Sequence, residues 1–317
     1  MSMPGFVISV SLIGMTALVS GMASGQNYPN KPLRIVTGPA GGGGDSATRA
    51  IARWLEGPLG QSVIVENRPT ATIGAVVSRA PADGYTLALL GNSFWISSLI
   101  QQTNYDPVKD VTAVTLVERS PIILVVHPAL PVKSVRELIA LAKARPGELN
   151  YAGAAQGAAS FNAAELFNAM AGVKIIGVNY SGGAPAITAL IGGEVQLRFA
   201  TVGEAMSFVK SGRLRALAVT STKPSALAPG VPALAETVPG YESVVMQAVF
   251  APGKTPDAIL NQLNGEIVRV LNRAEIREQY FNNGAEVASS SREEAAAAIK
   301  NDMANMGKML KGVGIAR

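Results

Sequence analysis

Twice along this chain an apolar, strand-like run breaks into a loop of small residues and then becomes an amphipathic helix. The first instance is Lys31-Pro32-Leu33-Arg34-Ile35-Val36, then a turn over 38–44 that contains Gly41-Gly42-Gly43-Gly44, then residues 45–59 with Ile51, Trp54 and Leu55 on one helical face. The second is Asn150-Tyr151-Ala152, then the small residues 153–160, then a helical stretch over 161–170. This order restricts the fold to the α/β class, with a mixed, mainly parallel sheet flanked by helices. Further strands are predicted over 63–66, 86–90, 122–126, 174–178, 195–201, 214–220 and 246–250. Further helices are predicted over 134–144, 256–272 and 291–310, with Ser134 as a cap and Pro146-Gly147 as a stop. Asp45 occupies the position of an N-cap. At 317 residues and 48% hydrophobic, the chain can bury a large core divided between two domains.

Residues 6–23 are apolar or small, and no charged side chain precedes Lys31. Ala23-Ser24-Gly25 places small residues where a signal peptidase reads, so 1–25 is expected to be a secretory signal peptide. Met1-Ser2-Met3 carries no Lys or Arg; the amino terminus supplies the charge, or the start lies upstream. The mature protein is expected to be exported, soluble and periplasmic.

Composition removes whole classes of chemistry. Cysteine is absent and histidine occurs once, which excludes thiolate metal sites, disulfides, thiol nucleophiles and His-rich metal sites. No cofactor and no metal are expected. The net charge of +5 contains no basic run, so no nucleic-acid partner is expected. A Ser–His–Asp triad would have to use His127, which precedes Pro128 and reads as a turn or hinge residue. An exported hydrolase using Ser93 or Ser160 remains the alternative from another class. Glu66-Asn67-Arg68-Pro69 reads as a structural turn with an ion pair, or as a catalytic carboxylate beside an arginine. Met303, Met306 and Met309 have core spacing.

The strand–helix loops suit an anion. Glycine lets the backbone approach a ligand closely, and the following helix presents unpaired N–H groups and the positive end of its dipole. The first loop contributes Gly38, Ala40, Gly41, Gly42, Gly43, Gly44 and Asp45; it lacks the Gly-Lys-Ser/Thr of a phosphate-binding P-loop. The second contributes Ala154, Ala155, Gln156, Gly157, Ala158 and Ser160. The third contributes Tyr180, Gly182, Gly183, Ala184 and Pro185, with Pro185 suited to a first helical turn. Asn92, Ser93 and Thr201, each beside a predicted strand end, complete the candidate ligand-binding set. Asp45 is the only charged residue in the three loops, which argues for one shared site built mainly from main-chain amides.

At these loops the chain resembles a known family. The matching runs include 28–36, Gly41-Gly42-Gly43-Gly44-Asp45, 59–69 ending in Glu66-Asn67-Arg68-Pro69, and Ala80-Pro81-Ala82-Asp83-Gly84-Tyr85-Thr86-Leu87. They continue through 137–144, 146–151, 164–167, 180–186, 192–195 and Ala251-Pro252-Gly253-Lys254-Thr255-Pro256, in order over nearly the whole mature chain. These runs resemble the periplasmic solute receptors of tripartite tricarboxylate transporters, the TctC or Bug receptors. The resemblance implies a two-lobed clamshell that holds a small carboxylate in its cleft through main-chain amides and bridging waters. It implies delivery to inner-membrane transporter subunits; a periplasmic sensor feeding a signalling system is the alternative, and a monomer is expected. Lobe 1 would comprise 26–125 and 246–317, and lobe 2 would comprise 126–245, with crossings near 124–127 and 246–250. Three departures stand out. Gly38 and Ala40 replace a usual aromatic and Pro. The loop after Pro69 is shortened to Thr70-Ala71-Thr72. Ala154, Ala155, Ala158 and Asn162 stand where hydroxyls and a His are usual, so a weaker anion site or a more apolar ligand is expected.

Overall fold

The computed structural model describes residues 28–40, 43–153 and 158–312. The expected signal peptide, Gly41, Gly42, Ala154, Ala155, Gln156 and Gly157 lie outside the described residues. Leu33–Thr37 (β1) pairs in parallel with Val63–Asn67 (β2) and Thr86–Gly91 (β3). Gly43–Leu59 (α1), Thr70–Ser78 (α2) and Asn92–Ile100 (α3) follow these strands in turn. Val111–Val126 (β4) is a single strand of 16 residues. Its first part pairs antiparallel with Val244–Pro252 (β9), which also pairs with β3. From Ile122 onward β4 pairs instead with Leu197–Thr201 (β7) and Arg215–Val219 (β8). The change of partner falls at Pro121, which has no N–H to give a ladder.

The middle of the chain supplies Val135–Ala144 (α4), Asn150–Gly153 (β5), Ala159–Ala171 (α5), Ile176–Asn179 (β6), Gly183–Ile191 (α6) and Val202–Lys210 (α7). After β9 come Asp257–Leu271 (α8), Ala274–Asn282 (α9) and Arg292–Gly312 (α10). The strands form one mixed sheet in the order β2-β1-β3-β9-β4-β7-β5-β6, with β8 beside β4. Pairing is parallel toward both ends of the sheet and antiparallel around β4 and β9.

Several local expectations meet the structure directly. Ser134 Oγ accepts from Glu137 N–H at 3.2 Å, and Gly147 follows α4 at φ 81°. The N-cap assignment of Asp45 is corrected. Gly43 and Gly44 already belong to α1, so Asp45 lies inside its first turn, where a carboxylate still meets the positive end of the dipole. α2 and α3 were not foreseen. Their sequences, rich in Thr, Val, Ile, Ser and Gly, have weak helix propensity, and tertiary burial of Ile73, Val77, Phe94 and Trp95 sustains them.

α1 buries Ala47, Ile51 and Leu55 in a cluster with Leu260, Leu263 and Ile267 of α8. Full burial of a side chain such as Ile51 contributes roughly 1.5–3 kcal/mol. α10 packs on α3 and α5, and Trp95, Phe167, Met306 and Met309 share one hydrophobic cluster. That cluster runs across both parts of the sheet, and α10 contributes to it.

Asp302 of α10 sits at this junction. Its Oδ2 accepts from Trp95 Nε1 at 2.7 Å and from Asn92 Nδ2 at 2.9 Å. Burial raises its pKa from 3.8, while those two hydrogen bonds and the Arg119 charge pull it back down. An acid raised in the folded state adds stability that is fully present below pH 3.8 and lost as pH rises through the raised value. Asp302→Asn keeps an acceptor oxygen and removes this titration. The stability of the native chain relative to the variant, read from urea midpoints, is therefore expected to be greater at pH 4 than at pH 7. An equal difference at both pH values contradicts the assignment.

Candidate functional site

Because β1, β2 and β3 are parallel, their carboxyl ends lie at one edge, where α1, α2 and α3 begin. Open α/β sheets bind ligands at such an edge. A cavity of about 200 Å³ lies there, lined by Thr37, Gly38, Gly44, Asp45, Thr70 and Gln247 among others. α2 starts at Pro69 and α3 at Gly91, and neither has a side-chain cap. Their first-turn amides and dipoles therefore favour an anion.

Asn67 holds this edge together. Its Nδ2 donates to the Gly38 carbonyl at 2.8 Å and to Asp45 Oδ1 at 2.9 Å, and its Oδ1 accepts from Arg49 at 2.9 Å. Arg49 Nε also lies 2.9 Å from Asp45 Oδ1. The buried Asp45 carboxylate is thus neutralised and fixes the start of α1 against the β1 loop. Gly44 packs closely here: a Cβ would lie 3.2 Å from Thr37 Oγ1, a contact that Thr37 would have to shift to relieve. Arg68 and Arg34 both pair with Glu66, at 2.6 and 3.2 Å, so the Glu66–Pro69 turn carries the expected ion pair.

On the other part of the sheet, β5, β6 and β7 are also parallel, and α5, α6 and α7 leave from their carboxyl ends. Ala158 and Ser160 lie at the start of α5; Gly182, Gly183, Ala184 and Pro185 lie at the start of α6. Neither helix has a side-chain cap. α7 differs. Thr201 Oγ1 accepts from Glu204 N–H, and Glu204 Oε2 accepts from Thr201 N–H, each at 3.3 Å. This capping box engages the Thr201 hydroxyl within its own helix.

Beneath these loops lies a group that loop composition did not reveal. Arg198, only 3% exposed, donates to the Ala152 carbonyl and to Glu204 Oε2, both at 3.1 Å. Its Nε is buried with no partner. Gly183 packs so closely that a Cβ there would run into the Glu204 carboxylate. The second set of loops therefore rests on a buried guanidinium as well as on main-chain amides.

The remaining candidates are dispersed. The Asn92 amide is engaged with Asp302 and accepts from Met246 N–H at 2.6 Å, which ties α3 to β9 and α10. Ser93 is exposed on α3, and Ala40 is exposed after β1. The Tyr180 hydroxyl is raised by desolvation and by Glu194 beside it. His127 Nδ1 accepts from Ala129 N–H at 3.2 Å and its carbonyl accepts from Leu130 N–H, a turn arrangement, while its main-chain N–H donates to the Gln196 carbonyl. Among the described residues no cluster of three or more His, Cys, Asp or Glu could hold a metal. Asn67, Arg198, Glu204 and Gln247 were not among the candidates. Only Asn67 had a sequence signal, the Glu-Asn-Arg-Pro run.

Comparison with known proteins places this geometry. The family model for the tripartite tricarboxylate transporter family receptor, TctC, matches residues 47–315. Protein BugT of Bordetella pertussis is 35% identical over 295 residues, covering 90% of each chain. The structure of R. palustris Rpa4515 with adipate matches with a TM-score of 0.77 and 33% identity, covering 91% of this chain and 99% of that one. MatC (Rpa3494) from Rhodopseudomonas palustris with bound malate matches with a TM-score of 0.74 and 26% identity, covering 89% and 100%. With the family model spanning most of the sequence and the fold shared along nearly its whole length, the chain belongs to the tripartite tricarboxylate transporter receptor family of TctC-type solute-binding proteins.

Proposed function

We propose that this chain is a periplasmic receptor that binds a small carboxylate and delivers it to a tripartite tricarboxylate-type membrane transporter. The observation that carries the reading is the cavity at the carboxyl edge of β1 and β3, onto which the uncapped starts of α2 and α3 open. Adipate and malate in the related structures are carboxylates, which supports the same class of ligand here. Lobe 1 is assigned to 26–125 and 246–317, and lobe 2 to 126–245. The change of pairing in β4 at Pro121–Ile122 and the start of β9 at Val244 support boundaries a few residues earlier than those the sequence suggests. The ligand's charge meets the helix-end amides of the first lobe. Closure adds α5 and α6 from the second, so the ligand favours the closed form by its extra affinity there. Residues 1–25 act as the export signal in this reading.

The test is thermal unfolding of the mature protein with a panel of mono-, di- and tricarboxylates that includes adipate and malate. A true ligand at 100 times its Kd stabilises by about 2.7 kcal/mol and raises Tm by roughly 5 °C or more. No shift with any member of the panel overturns the reading.

A further inference from the structure

Residues 283–288 run from the end of α9 along the bend of β4. Arg119 N–H donates to the Glu286 carbonyl and Ala288 N–H donates to the Val117 carbonyl, each at 3.1 Å. Glu286 N–H donates to Ser120 Oγ at 2.9 Å. The segment is thereby fixed to β4 just before Pro121, where that strand changes partner.

Two contacts reach the segment from the other part of the sheet. Ser225, in the turn after β8, donates its hydroxyl to the Glu286 carboxylate in a short hydrogen bond. The start of α7 meets the turn at 283–284 backbone to backbone. A Cβ on Gly203 would lie 2.6 Å from the Asn283 carbonyl oxygen, and a Cβ on Gly284 would run into the Gly203 amide. Gly284 has φ 73°, so conformation and space both call for glycine there. Gly203 is a different case. It lies in the first turn of α7, where alanine is the better helix former, so its glycine serves the contact and not the helix.

The contact borders a cavity of about 390 Å³ where the two parts of the sheet face each other. Ser46 and Ala47 of α1, with Asn283 and Gly284, line it on one side, and Thr201 at the start of α7 lines it on the other. Contacts across such a space depend on how closely two lobes approach. Here main chain meets main chain, with no side chain to swing aside, so one added methyl group is felt in full.

We propose that residues 283–288 are a latch between the lobes. The Gly203–Gly284 seat and the Ser225–Glu286 hydrogen bond form as the lobes approach, and they bias the receptor toward the closed form before any ligand arrives. The proposal rests on the lobe assignment of the reading above and adds what sets the balance between the open and closed forms.

The experiment uses the absence of cysteine from the chain. Exposed Arg53 of α1 and exposed Lys210 of α7 are each replaced by Cys and spin-labelled. Pulsed dipolar spectroscopy of the ligand-free mature protein then reads the distance between the lobes. Ser225→Ala is expected to raise the open-to-closed ratio about fivefold, the value of one net hydrogen bond. Gly203→Ala is expected to move the distances in the same direction while the melting temperature holds or rises, because α7 itself gains a better helix former. Unchanged distances in both variants overturn the latch. A lowered melting temperature for Gly203→Ala with unchanged distances marks static packing and overturns it too. The same proteins melted with the carboxylate panel separate the two readings. Shifted distances with no response to any carboxylate support the latch and overturn the carboxylate reading. Unchanged distances with a carboxylate response overturn the latch alone.

Discussion

Trp95→Ala is expected to lower the stability of the protein by about 3–5 kcal/mol, the range for removing a fully buried large aromatic. Trp95 is 0% exposed, and its ring lies 6.0 Å from that of Phe250, centroid to centroid. It is packed where α3, β9 and α10 meet, and its N–H is one of two donors to the half-buried Asp302 carboxylate. The substitution opens a cavity and removes a donor together. Trp95→Phe weights the two effects differently: the hydrogen bond goes with only a small loss of buried volume, for about 1–3 kcal/mol. Against a total stability of roughly 5–15 kcal/mol, the alanine variant stands near the limit of folding. Urea unfolding of the three proteins at equal slope reads the losses directly. If Ala and Phe variants lose the same amount, the cavity contributes nothing. A loss below about 1 kcal/mol for Ala contradicts the burial described above.

Glu204→Ala is expected to remove about 3 kcal/mol by a different route. The loss falls on Arg198, whose guanidinium is 3% exposed and would keep only the Ala152 carbonyl as acceptor. A buried charge stripped of its partner is far more damaging than a lost surface pair. The figure is taken at the low end because the Glu204 side chain is itself 32% exposed. The α7 capping box is lost as well. Glu204→Gln retains an oxygen for the cap and removes only the charge, so a smaller loss is expected. In the double variant Arg198→Met with Glu204→Gln the buried charge is gone, and stability is expected to return toward that of the native chain. Denaturation midpoints of the single and double variants decide it: additive losses in the double variant rule out a coupled buried pair.

The outer strands and their loops were legible because their information is local. Val36 into the glycine run into Ile51, or Tyr151 into small residues into Phe161, is a period change visible within one window of sequence. The first part of β4 was missed because Thr112, Thr115, Glu118 and Ser120 interrupt its apolar residues. It is a strand because β9, more than a hundred residues later, pairs with it. The same distance hid the site's side chains. Gln247 reaches the cavity only through pairing of β9 with β3, and Arg198 lies beneath the loops only because β7 sits between β4 and β5. Asp45 read as a cap since nothing in sequence fixes where a run of glycines turns helical. Asn67, through its contacts to Gly38 and Asp45, makes the turn rigid, and no spacing rule predicts that contact.

The position of β9 also sets an order in time. β3 and the first part of β4 do not pair with each other; each gains its strand neighbour only when Val244–Pro252 comes between them. During synthesis the N-terminal strands are complete early but have no sheet to close. Two open strand edges wait for a segment that follows the entire middle of the chain. The part of the molecule made first therefore cannot be completed until this late segment is in place. A truncation that ends before Val244 is expected to leave that part unfolded, however intact its own sequence.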